Sequence, residues 1–248
     1  MHKTAIAFAC AILFATAASA QDCSLEQIAS LPLTTLPSGA IAVPVNVNGN
    51  RVLLAVAIQS PRTALDAVYV HRMGGGDSSG VTLRSLGIGK YTFNDVAVAQ
   101  IADSEQGTAG VLGVDTLRGY DVEIDFKGEK LNLFTKQHCK GNVVYWTNSY
   151  TMVPFSVDAS GQVVAQMTLD GKPVNVAIST APGHLAMRSM SAQAAYKMLG
   201  IGGISLSNPQ IAIAGDIDPG ADIRIGLDDL KMLHLFFAFS ENKLYVTP

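Results

Sequence analysis

Two stretches of this chain repeat each other in two constant registers, and that repeat limits the possible fold more than anything else in the sequence. Ser38-Gly39-Ala40-Ile41-Ala42-Val43 lies over Ser160-Gly161-Gln162-Val163-Val164-Ala165 at an offset of 122. The same offset carries Asn48-Gly49 onto Asp170-Gly171, Val52 onto Val174 and Pro32 onto Pro154. Further on, Leu86-Gly87-Ile88-Gly89 falls on Leu199-Gly200-Ile201-Gly202 at an offset of 113. That second register then runs without a gap to the end, through Gly113 on Gly226 and Lys130-Leu131 on Lys243-Leu244. The chain therefore reads as a duplication, copy one about 31–137 and copy two about 152–248.

The period inside each copy is that of β-structure. Val43, Val45 and Val47 alternate with small or polar residues, Asn48-Gly49 predicts a tight hairpin turn, and Val52 to Ile58 is a largely apolar second strand. Val122 to Phe126 and Leu131 to Phe134, joined through Lys127-Gly128-Glu129-Lys130, read as another hairpin. Ser191 to Leu199 places Ala194, Ala195 and Met198 on one face and predicts a helix. Short helices are expected after Gly113 and Gly226, with Asp115 and Asp228 as caps. The class is all-β with minor helix.

Residues 1–20 carry a short basic start at His2-Lys3, an apolar run from Ala5 to Ala17 and Ala18-Ser19-Ala20 before Gln21. That pattern predicts a secretory signal cleaved near Ala20-Gln21, since the apolar run is too short to span a membrane. The expected destination is the periplasm or the medium. The formal charge of −3 becomes −4 when Lys3 is removed, and no basic block exists to attract nucleic acid or anionic lipid. Cys10 leaves with the signal; Cys23 and Cys139 then either form one bridge or remain as two free thiols. A bridge closing so long a loop is worth roughly 4–5 kcal/mol in the chain-entropy model.

Three local patterns give each copy a resemblance to a retropepsin-type aspartic-protease lobe, and the tandem to the bilobal pepsin arrangement. A glycine stands eight residues before a strand end in both copies, Gly49 before Ala57 and Gly171 before Ser179. Ser60-Pro61-Arg62-Thr63-Ala64-Leu65 is similar to the segment that follows the family's catalytic triplet. A hydrophobic-Gly element followed by Asp and Leu occurs twice, Val111 to Leu117 and Ile225 to Leu230. The resemblance implies a duplicated pepsin-like β-barrel architecture, with an N-terminal lobe over 21–137, a linker over 138–151 and a C-terminal lobe over 152–248. It also implies a monomer with an internal pseudo-twofold. The extra residues of copy one, around Met73-Gly74-Gly75-Gly76, lie where the family carries a mobile flap over its cleft, and glycines suit a tip that opens and closes. An ordinary surface loop is the alternative.

The chemistry that the resemblance implies is missing. Where the family has Asp-Thr-Gly, copy one reads Ala57-Ile58-Gln59 and copy two Ser179-Thr180-Ala181. In such enzymes two carboxylates about 3 Å apart share a proton. Ala57 has no polar atom, and the Ser179 hydroxyl is no base near neutral pH. No Asp or Glu occurs between Glu26 and Asp66, or between Asp170 and Asp216. Asp66 is expected to cap a turn or helix. Ser179 with His184 lacks a neighbouring acid in sequence, and His71, His138 and His234 have no zinc spacing. Thr180 keeps its half of the family's cross-lobe hydrogen bonding and Ile58 does not, while Gln59 and Ala181 are expected to fill space that the family's glycines leave open.

The favoured expectation is a secreted protease-like protein without its dyad, binding an extended peptide or protein segment in the interlobe cleft, with no cofactor and no metal. An envelope assembly factor working through an outer surface and a residual hydrolase using Ser179 are the alternatives.

Overall fold

The computed structural model describes residues 23–76, 80–188, 195–215, 217 and 220–248. The expected export signal, its cleavage point and the first part of the expected helix, Ser191 to Ala194, lie outside the described residues. In copy one the elements are β1 (Gln27–Pro32), β2 (Thr34–Thr35), β3 (Ile41–Val47), β4 (Asn50–Val56), β5 (Ala64–Asp66) and α1 (Ala67–Arg72). They continue with β6 (Gly80–Ile88), β7 (Tyr91–Ile101), β8 (Gly110–Leu112), α2 (Val114–Leu117), β9 (Asp121–Asp125) and β10 (Lys130–Phe134). Copy two follows with β11 (Thr151–Val157), β12 (Val163–Leu169), β13 (Lys172–Ile178), β14 (Ala186–Met187), β15 (Met198–Ile201) and β16 (Ile204–Ser207). It ends with β17 (Ala212–Ile213), β18 (Ile223–Ile225), α3 (Leu227–Leu230), β19 (His234–Ala238) and β20 (Lys243–Thr247).

The two registers of the sequence are also registers of the structure. The β3–β4 and β12–β13 hairpins occupy equivalent positions at an offset of 122, while β8 to β10 match β18 to β20 at 113. Asn48 and Gly49 have φ of 52° and 86°, Asp170 and Gly171 of 50° and 77°. Two successive positive φ values give a two-residue turn whose twist suits the strands it joins, which is why both hairpins carry Asn or Asp before Gly. In each copy a strand is threaded between two others: β8 runs parallel to β4 and antiparallel to β5, and β18 runs parallel to β13 and antiparallel to β14.

The copies join through a six-stranded antiparallel sheet in the order β1-β10-β9-β19-β20-β11. At its centre Glu123 lies opposite Phe236, Ile124 opposite Leu235 and Val122 opposite Phe237. Glu123 and Phe236 also correspond at the 113 offset, so this pairing sets matching positions of the two repeats opposite each other. Strand alternation gives the sheet two buried faces. Val122, Ile124, Leu235 and Phe237 join the main core, whereas Phe134, Phe236, Ala238 and Tyr245 pack under Val143 of the linker, flanked by Val144 and Trp146. A Cys23–Cys139 disulfide fastens the start of that linker. Among the described residues, no helix is long and apolar enough to cross a membrane.

Two expectations need correction. Met198 and Leu199 are not helical: they begin β15, whose Leu199 pairs with Leu169 of β12 and with Leu206 of β16, so sheet pairing overrides the local helical period. Asp115 and Asp228 do not cap α2 and α3. Gly113 and Gly226 are the cap residues, without a side-chain bond, and each aspartate sits one residue into the first turn, reaching back across the fold. Asp66, by contrast, does cap a helix: its carboxylate accepts from the N–H groups of Val68 and Tyr69 at the start of α1.

Candidate functional site

Each triplet follows a strand whose last three residues are buried, β4 before Ala57 and β13 before Ser179. Equivalent bonds hold both: Ala57 N–H donates to Leu112 O at 3.0 Å, and Ser179 N–H to Ile225 O at 3.0 Å. The turns that follow are also pinned. Thr63 N–H donates to Asp115 Oδ1 at 2.7 Å, and Leu185 N–H to Asp229 Oδ2 at 2.6 Å. Gly183 N–H donates to Asp228 Oδ2 at 2.9 Å. Burial raises the Asp228 pKa, but that bond and Lys231 outweigh it and hold the carboxyl below its usual range. The glycine of each hydrophobic-Gly element makes this packing possible. A Cβ at Gly113 would lie 2.3 Å from the Arg62 carbonyl carbon, and one at Gly226 2.2 Å from Gly183 O.

The triplets meet across the lobes. Thr180 Oγ1 donates to Val56 O at 2.6 Å and accepts from Ile58 N–H at 3.0 Å. Ile58 has no hydroxyl with which to reciprocate. In its place the Gln59 side chain reaches over, and Oε1 accepts from Thr180 N–H at 2.9 Å, lying 3.1 Å from Thr180 Oγ1. The orientation of that amide is dictated chemically, because a backbone N–H can only be met by the oxygen. Ala57, Ile58, Ser179 and Thr180 are all buried, and Gln59 is half-buried.

Beside this junction lies a cavity of about 640 Å³. Ser179, Ala181, His184, Ala212 and Arg224 are among its walls, and among the described residues Gln59 alone lines it from copy one. Among the described residues, no carboxylate lines it. Gln59 and Ala181 thus border an opening where the sequence suggests that they fill one. His184 and Ala212 also line an adjoining groove of about 680 Å³ whose walls include Leu185, Leu206, Ile211 and Met232. Met73 and the three glycines after it do not reach either cavity. They form the turn that ends α1, where Gly75 N–H donates to Val70 O at 3.0 Å and Asn48 Nδ2 stands 3.9 Å from Met73 Sδ.

The sequence gives no hint of two polar clusters. His184 does have an acid partner, Asp229, with 3.2 Å between Nδ1 and Oδ1, although the two positions are 45 residues apart. No hydrogen bond joins His184 to Ser179, whose Oγ accepts from Ala181 N–H at 3.2 Å. The second cluster is internal at Asp121 and His138 and half-buried at Ser240. Asp121 Oδ2 lies 2.6 Å from His138 Nε2 and accepts from Ser240 Oγ at 2.6 Å. A working Ser-His-Asp triad needs the acid on one ring nitrogen and the hydroxyl on the other. Here both contact Nε2 while Nδ1 faces Cys139 O, and the group fastens the linker to the interlobe sheet. Among the described residues, no group of three or more His, Cys, Asp or Glu is placed to hold a metal ion.

Neither a protein-family model nor a curated sequence matches the chain. Solved structures do match in fold. Basic 7S globulin from soybean superposes with a TM-score of 0.59 at 10% identity, over 90% of this chain and 97% of that one. An aspartic proteinase from Irpex lacteus gives 0.54 at 15% identity, over 88% and 96%. The protein described as EDGP gives 0.58 at 9% identity, over 88% and 94%. The chain has a pepsin-like, all-β, bilobal fold.

Proposed function

We propose that this chain is a protease-shaped binding protein: a pepsin-like body whose two catalytic triplets have degenerated to Ala57-Ile58-Gln59 and Ser179-Thr180-Ala181. On this reading the copies arose by duplication, and the cleft between them holds an extended peptide or protein segment without cutting it. One observation carries the proposal. The cavity beside the triplet junction is open, at about 640 Å³, yet among the described residues no carboxylate lines it. An open site with no acid or base suited to a water-activating dyad supports binding over hydrolysis.

Two further features support it. The adjoining groove shares His184 and Ala212 with the cavity, which extends the depression along copy two and provides an apolar wall. Pepsin-like scaffolds can hold substrate as an added strand through main-chain hydrogen bonds, and that recognition does not require the dyad. The Cys23–Cys139 bridge fits an oxidising compartment, in keeping with export to the periplasm or medium.

Binding to an array of random decapeptides tests the proposal. Ala212 is exposed and lines both cavities, so Ala212→Trp fills the site without touching the core. Wild-type binding that is lost in this variant supports the cleft. Binding that ignores Ala212→Trp places the ligand on an outer surface and sinks the proposal.

A further inference from the structure

We infer that the cavity beside the triplet junction recognises an oxygen acceptor, a peptide carbonyl or a carboxylate, through the Ser179 hydroxyl and the Gln59 amide nitrogen. The inference rests on the cleft reading above and specifies its chemistry.

Among the described residues, neither group has an acceptor for its hydrogens. Ser179 is only 2% exposed, and its Oγ accepts from Ala181 N–H without donating to any described residue. Gln59 is turned so that Oε1 serves Thr180 N–H, and this leaves Nε2, with its two hydrogens, without a partner among the described residues. Both residues line the same cavity. A buried hydroxyl whose hydrogen lacks an acceptor is costly unless solvent or ligand supplies one.

The surroundings favour the same chemistry. Among the described residues the cavity has no acidic lining residue, and its walls include two basic ones, His184 and Arg224. Among the described residues, a ligand oxygen therefore meets donors and no carboxylate in the cavity wall, Asp229 being held by His184. This is the reverse of a site built on carboxylates. The reversal follows from two particular substitutions, a hydroxyl at 179 and an amide at 59 whose oxygen is already committed.

Small probes read this directly. The 15N-labelled chain is titrated with N-methylacetamide, with acetate and with methylammonium, following the Gln59 side-chain NH2 and the Ser179 and Thr180 amides by NMR. Saturable shifts with N-methylacetamide, acetate or both are expected, and none with methylammonium. A stronger response to N-methylacetamide identifies a backbone carbonyl as the natural partner, and a stronger response to acetate a chain-end or side-chain carboxylate. Ser179→Ala removes one donor. Gln59→Glu removes the other while keeping an oxygen for Thr180 N–H. Each variant should weaken the response about two- to ten-fold, the value of one neutral hydrogen bond. If Gln59→Glu does not fold, Ser179→Ala and the wild-type Gln59 side-chain signal carry the test. The inference is overturned if neither acceptor moves these resonances, if methylammonium moves them equally, or if folded variants respond like the wild type. Should the acceptors fail while decapeptide binding still depends on Ala212, the cleft reading survives and only the donor assignment falls.

Discussion

Gln59 and Thr180 hold the lobes together by a bond that neither lobe could make alone. Gln59 Oε1 accepts from Thr180 N–H at 2.9 Å, across 121 residues of chain. Thr180 Oγ1 in turn bridges Val56 O and Ile58 N–H. The junction is asymmetric: a hydroxyl does the work from copy two, and a longer amide from copy one reaches past the isoleucine that has none.

Thr180→Val keeps the volume but leaves Ile58 N–H and Val56 O buried without their partner. A loss of about 2–4 kcal/mol is expected, since each orphaned buried group costs about 1–3 kcal/mol. Gln59→Leu orphans Thr180 N–H alone and should cost about 1–3 kcal/mol. The double variant should lose less than the sum, because both changes act on one network. Urea unfolding of the three variants measures all of this, and strict additivity would show that the two residues act separately.

The buried His138 gives stability a pH dependence of known sign. Burial alone lowers its pKa, but the hydrogen bond with Asp121, the bond with Cys139 O and the charges of Asp121 and Glu241 outweigh it, and the net shift is upward from 6.5. A raised folded pKa means stability that is fully present below the unfolded value and is lost as pH rises through the folded one. Unfolding free energy should therefore fall on going upward from about pH 6.5. His138→Gln should flatten that decline, and a wild-type curve that rises across the same interval would contradict the assignment. Asp121→Ala leaves the imidazole buried without its acid and should cost about 3–5 kcal/mol.

Gly113→Ala and Gly226→Ala test the close approach of the turns to the threaded strands. A methyl at either place would sit within 2.4 Å of backbone atoms that bonds from Asp115 and Asp228 to the turns help to hold. Overpacking of this kind costs about 1–3 kcal/mol or more. Gly49→Ala meets nothing within 4 Å, although its φ of 86° adds strain of its own. Thermal melts that rank Gly49→Ala as mildest would bear the distinction out.

The parts of this fold that are legible in the sequence are those with a local steric cause. Asn48-Gly49 and Asp170-Gly171 mark hairpins because both need positive φ, and the paired glycines mark where backbones touch. What depends on distant partners is hidden. Gln59 looks like a bulky replacement for glycine until Thr180 is brought beside it, and nothing in the chain order ties His184 to Asp229. Asp115 has the position of a cap, but Thr63 N–H and Oγ1 claim its carboxylate. Leu199 and Met198 fit a helical face as well as a strand, and only the neighbouring β12 and β16 decide between them.

The central claim, a cleft that binds without cutting, is tested most directly by following a bound decapeptide over time. The tightest array binder is incubated with the protein at pH 4 and at pH 7, its affinity is measured for wild type, Ala212→Trp and Ser179→Ala, and the peptide is then weighed by mass spectrometry. The prediction is an intact peptide at both pH values, with affinity at least ten-fold weaker for Ala212→Trp. Cleavage products that disappear in Ser179→Ala would show instead that Ser179, in the cavity it shares with the Asp229-paired His184, carries out hydrolysis.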